Sequence, residues 1–88
     1  MKMFKFGETK LILPIFGYNF KPAQFAEEKA HVLIIGGVHG DEPEGVVGAR
    51  GLLDVFRDNY TLDLNITLIP EFNPEGILLN TRGNSSKV

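Results

Sequence analysis

The sequence predicts an α/β fold: a mixed sheet in which an N-terminal hairpin is followed by a right-handed βαβ unit. Three observations predict it. Phe4 and Phe6 alternate with Lys5, and a second apolar run follows Gly7-Glu8-Thr9, the pattern of two strands joined by a turn. Val32-Leu33-Ile34-Ile35 is a continuous apolar run closed by Gly36-Gly37, as expected of a strand buried on both faces. A helical pattern then separates it from another strand-like run, Leu64 to Ile69. A strand, a helix and a strand make a crossover whose strands are parallel and whose hand is right in nearly every case.

The first strand holds Phe4 and Phe6, and the second is expected over Leu11 to Phe16. Pro14 lies inside that second strand and cannot donate to a ladder, so it requires an edge, a bulge or an unpaired position. Tyr18 to Lys29 reads as an irregular connection or a short helix around Ala23 to Glu28. The main helix is expected to start as a capping box, with Asp41 as N-cap, Glu42 as the first helical residue and Glu44 at N3. Pro43 falls in its first turn, where a missing N–H does no harm. It runs to about Asp58, with Val46, Ala49, Leu53 and Phe56 on one stripe, and ends at Asn59 or Tyr60. Gly45, Gly48 and Gly51 each cost about 0.5–1 kcal/mol relative to alanine inside a helix. Close approach of the helix to the sheet is the expected compensation.

Eighty-eight residues with 43% apolar and 23% charged side chains describe one globular domain, residues 1–88. A net charge of −2 with nine basic residues leaves no electrostatic footprint for nucleic acid. No apolar run reaches the length of a membrane span, and the lysine-interrupted N-terminus lacks the core of a secretory signal. A cytoplasmic protein is the simplest expectation. The chain has no cysteine, so any metal must be held by His, Asp or Glu.

His39-Gly40-Asp41-Glu42 is the most informative segment. An imidazole and a carboxylate three positions apart, where a strand hands over to a helix, can put two ligands on one metal ion. Catalytic zinc sites commonly combine His nitrogen and Glu oxygen in this way. Ligands of open α/β sheets bind beyond the carboxyl ends of the strands, and His39, Glu42 and the segment after Pro70 all fall at that end. Asn73-Pro74-Glu75-Gly76 reads as a turn. Thr81-Arg82-Gly83-Asn84 is a polar stretch whose guanidinium is either a solvated loop group or, in a dry pocket, an oxyanion stabiliser. His31, at the opposite end of its strand, reads as a surface or capping residue and not a ligand.

Taken together, Gly36-Gly37-Val38-His39-Gly40-Asp41-Glu42-Pro43, Asn73-Pro74-Glu75-Gly76 and Thr81-Arg82-Gly83-Asn84 resemble the zinc carboxypeptidase family, and within it the murein tripeptide amidases. Glu75 departs from the usual aspartate of the second motif. The resemblance implies the N-terminal part of the zinc carboxypeptidase fold, with the Leu64 strand inserted between the Leu11 and Val32 strands. It implies zinc as cofactor, His39 and Glu42 as the first two zinc ligands, and Arg82 as the group that polarises the scissile carbonyl. The implied substrate is a peptide, of the kind derived from murein. The third ligand, a histidine, and the catalytic glutamate lie beyond Val88 in that family, so the 88-residue chain is expected to be inactive alone.

Two other readings are open. One is a succinylglutamate desuccinylase or aspartoacylase type of zinc deacylase, which shares the H-x-x-E arrangement; Thr81-Arg82-Gly83-Asn84 favours the amidase. The other is a non-catalytic metal-binding or interaction module. If the chain is part of a larger domain, self-association through an exposed sheet edge is also expected.

Overall fold

The computed structural model describes residues 1–24 and 30–83. Lys2–Glu8 (β1) and Pro14–Phe20 (β2) form the hairpin, with Phe4 opposite Gly17 and Glu8 opposite Pro14. The second strand therefore starts later than its apolar pattern suggests. Residues 9–13 close on themselves instead. The Thr9 N–H donates to the Leu13 carbonyl and the Ile12 N–H to the Thr9 carbonyl, each at 2.9 Å. The Thr9 hydroxyl oxygen accepts the Leu13 N–H at 3.1 Å. Gly7 and Glu8, expected in the turn, remain in β1 beyond an irregularity between Lys5 and Gly7. Pro14 becomes the first residue of its strand, a position where its lost donor is tolerated. Tyr18 to Phe20, expected to be irregular, are strand residues. The suggested helix around Ala23 to Glu28 lies largely outside the described residues.

His31–Ile35 (β3), Pro43–Asp58 (α1) and Asn65–Ile69 (β4) make the crossover, and β3 pairs with β4 in parallel from His31 opposite Asn65 to Ile35 opposite Ile69. β4 also pairs antiparallel with β2, so the sheet order is β1-β2-β4-β3. The mixed sheet is as the sequence predicts, and the insertion of the fourth strand is as the family resemblance implies.

One expectation fails at β3. Its apolar run suggested burial on both faces, but β3 is an edge strand here, and Leu33 is 59% exposed with Val32 and Ile35 also exposed. Continuous apolar character is what the strand offers to a neighbour. It does not itself supply one.

α1 buries Ala49 and Leu53 against the sheet, and Leu53 joins Phe20, Ile66 and Leu68 in the core, with Phe56 and Tyr60 packed beside them. The rings of Phe20, Phe56 and Tyr60 lie within 5.2–5.5 Å of one another. Such edge and tilted contacts add to simple area burial. Burial and, second, the charge of Asp63 push the Tyr60 phenol above its ordinary value. The anticipated close approach of helix to sheet holds at Gly45 alone. A Cβ on Gly36 would lie 2.4 Å from the Gly45 carbonyl oxygen, whereas Cβ atoms on Gly48 and Gly51 would meet nothing within 4 Å. No described helix is long and apolar enough to cross a membrane.

Candidate metal centre

The site is built where β3 and β4 run out together. The Gly36 N–H extends the parallel ladder to the Ile69 carbonyl, and the Gly36 and Gly37 carbonyls accept the N–H groups of Phe72 and Asn73, all at 2.9 Å. Both chain segments thus leave the sheet at the same end and stay side by side. Gly40 then lies directly on the opening of a second helix, Pro74–Leu79 (α2): a Cβ on Gly40 would be 1.9 Å from the Gly76 carbonyl carbon. Only hydrogen fits there.

The Glu42 N–H donates to the His39 carbonyl at 3.1 Å, closing a turn between the two candidate ligands. Glu42, and not Asp41, is the N-cap of α1, and its side chain makes no capping hydrogen bond. Pro43 at N1 shows why the capping-box reading fails: the helix begins one residue later than the acidic pair suggests. The Glu42 carboxylate is thereby left available to turn away from the helix end.

α2 replaces the turn expected at Asn73-Pro74-Glu75-Gly76. Asn73 is its N-cap, with Oδ1 accepting the Gly76 N–H at 3.0 Å, and Asn80 ends it in the left-handed region at φ 55°. Asparagine tolerates that conformation better than most residues. The Thr81 N–H then returns to the Gly76 carbonyl at 2.8 Å, and the chain folds back over the His39 loop.

Arg82 consequently meets both candidate ligands. Its Nη1 donates to Glu42 Oε1 at 2.7 Å and its Nη2 lies 3.3 Å from His39 Nε2. A guanidinium can only donate, so a hydrogen bond between the two groups has the imidazole nitrogen as its acceptor. Nδ1 faces the Arg82 carbonyl oxygen at 3.4 Å. The arrangement is open to water, since the Arg82 side chain is 63% exposed, unlike the dry pocket that oxyanion stabilisation favours. A cleft of about 190 Å³ lies beside it, lined by residues that include His39, Glu42, Glu44 and Gly36. A larger cleft, about 580 Å³, lies away from these groups at Met1, Lys2, Asn19 and Lys21.

The three residues singled out in the sequence are therefore brought together. The donor set fits a metal in one specific sense: His39 and Glu42 carry donor types that zinc accepts, and both side chains contact a single cation, the Arg82 guanidinium. His31 stays apart, exposed at the far end of β3. Among the described residues there is no group of three or more His, Cys, Asp or Glu placed to hold a metal. Asn84 lies outside the described residues.

Two supporting residues escaped the sequence reading. Asn73 is buried, and its Nδ2 donates to the Val38 carbonyl at 3.2 Å, beside His39. Glu75 is 1% exposed, and its Oε2 accepts the Leu11 N–H at 2.8 Å, tying the hairpin turn to α2. Asparagine before proline is a helix-start signal that could have revealed the first. Nothing local to Glu75 announces its distant partner.

No protein-family model and no curated protein matches the chain. Solved structures do. It is similar to an aspartoacylase family protein from Mesorhizobium loti MAFF303099, at 27% identity and a TM-score of 0.65 over 83% of this chain and 22% of that one. It is similar to the murein-tripeptide amidase MpaA from Escherichia coli O157, at 22% identity and a TM-score of 0.63 over 94% of this chain and 32% of that one. A candidate metallopeptidase from Shewanella denitrificans OS217 matches at 26% identity and a TM-score of 0.67, over 99% of this chain and 32% of that one. The chain thus spans between 22% and 32% of the length of these proteins. With its mixed sheet in the order β1-β2-β4-β3, it has the N-terminal portion of the zinc carboxypeptidase-like fold.

Proposed function

We propose that this chain supplies part of the active site of a zinc-dependent amide-bond hydrolase, with His39 and Glu42 as metal ligands and Arg82 as the oxyanion-stabilising group. The observation that carries the reading is the convergence of His39 Nε2 and Glu42 Oε1 on one cation at the carboxyl end of β3. Bound there, zinc would supply a Lewis acid and an activated water. His39 offers an imidazole nitrogen of the kind zinc takes. Glu42 brings the negative charge that a dication needs. Arg82, hung on the turn after α2, offers guanidinium donors of the kind that meet charge developing on a scissile carbonyl oxygen. The remaining ligand and the general base come from other parts of the whole enzyme.

The substrate we favour is a peptide derived from murein, a reading supported by the likeness to the amidase and by the Thr81-Arg82-Gly83 segment. A second reading, deacylation of an acylated amino acid, is supported by the 27% identity to an aspartoacylase family protein. Assaying the whole enzyme on γ-glutamyl-diaminopimelate peptides beside acylated amino acids separates the two. In that enzyme, His39→Ala and Glu42→Ala should each abolish zinc retention, measured by elemental mass spectrometry after dialysis. Arg82→Ala should keep zinc and lower turnover by about 10²–10³, as loss of one oxyanion donor does. Full zinc retention in both ligand variants would sink the proposal.

A further inference from the structure

We infer that Asn73 is a positioning residue for this centre, its side-chain amide holding the His39 loop and the Arg82 turn in one register. The inference rests on the reading of His39 and Glu42 as ligands. Both ends of the buried amide are in use. Nδ2 donates to the Val38 carbonyl at 3.2 Å, in the peptide unit that leads into His39. Oδ1 accepts the Gly76 N–H at 3.0 Å. The Gly76 carbonyl in turn accepts the Thr81 N–H at 2.8 Å, one residue before Arg82. The Asn73 backbone N–H adds a third tie, to the Gly37 carbonyl at 2.9 Å. One side chain therefore touches the segment entering the first ligand and the helical turn on which the guanidinium hangs.

The plainer account is that Asn73 only caps α2. A cap needs an acceptor, and serine or aspartate serves about as well as asparagine. Asparagine differs from both in carrying a donor fixed opposite its acceptor. That donor goes to Val38, outside the helix it caps. The donor half is what a cap leaves unexplained.

Two variants separate the halves. Asn73→Ser keeps the acceptor and removes the amide N–H that reaches Val38. Asn73→Asp keeps the acceptor and turns a carboxylate oxygen toward the Val38 carbonyl. On the 88-residue chain we would record the His39 ring signals by NMR without metal, then the zinc dissociation constant by competition with a chelator. Both variants should fold, with the His39 signals displaced from wild type. The zinc constant should rise about tenfold, the lower end of what supporting residues around metal ligands contribute. Asn73→Asp should weaken zinc too, although its added negative charge alone would strengthen it.

Unchanged His39 signals in a folded Asn73→Ser chain would overturn the inference, as would tighter zinc binding by Asn73→Asp. Failure of both variants to fold would make Asn73 a determinant of the fold and not of the site, which overturns it as well. If neither wild type nor variant binds zinc, two ligands do not hold the metal without the rest of the site, and the metal-free His39 signals decide the role of Asn73.

Discussion

Gly40 shows how narrowly the candidate site depends on single residues. It separates His39 from Asp41 and Glu42, and the Gly76 backbone occupies the space a side chain would need, at 1.9 Å from an added Cβ. Backbone cannot swing aside as a flexible side chain does. Gly40→Ala should therefore exceed the usual 1–3 kcal/mol of overpacking or push the His39 loop off α2. Denaturant unfolding measures the first, and NMR of the His39 ring the second. A fully stable Gly40→Ala chain with native His39 signals would contradict this packing. At this scale the sequence pointed to candidate chemistry and not to the residues that support it. His39, Glu42 and Arg82 stand out because their side chains can bind or polarise. Asn73 and Glu75 act through partners 35 and 64 positions away, and no local pattern encodes such distances.

The elements were legible where periodicity and burial agree. The stripe of Val46, Ala49, Leu53 and Phe56 located α1 and its inward face, and the helix ends at Asp58 with Asn59 as its C-cap. Boundaries shifted where short-range hydrogen bonds competed with pattern. The Thr9 carbonyl and hydroxyl capture the Ile12 and Leu13 N–H groups and delay β2 to Pro14. The three helical glycines, equivalent in sequence, are not equivalent in place. Gly45 packs on the β3 end, while Gly48 and Gly51 have open space where a Cβ would stand. Gly48→Ala and Gly51→Ala should each stabilise the chain by about 0.5–1 kcal/mol, the ordinary helix-interior penalty of glycine. Thermal unfolding would register it as a higher Tm, and a lower Tm for either variant would mean that the position is packed.

For the molecule as a whole, the decisive feature is the exposed side of β3. Val32, Leu33 and Ile35 are exposed on an edge strand whose outer backbone groups have no neighbouring strand among the described residues. Apolar edges of this kind template association with other chains. The 88-residue chain should accordingly run at larger apparent size on size-exclusion chromatography as its concentration rises. Leu33→Lys, which places a charge on the edge, should reduce that shift. A monomer at every concentration, in wild type and variant alike, would show that the edge is protected.

The amino-acid order alone was enough for the α/β class, the crossover and the core stripe, and it named the candidate site residues. Each is written in local spacing, side-chain type or a motif that the resemblance picks out. Tertiary structure decided the rest: which glycine the sheet needs, which strand is left at the edge, and that one guanidinium meets both His39 and Glu42. Those outcomes depend on which distant segments become neighbours. Backbone hydrogen bonds across β3 and β4, and the fit of Gly40 on Gly76, set that juxtaposition.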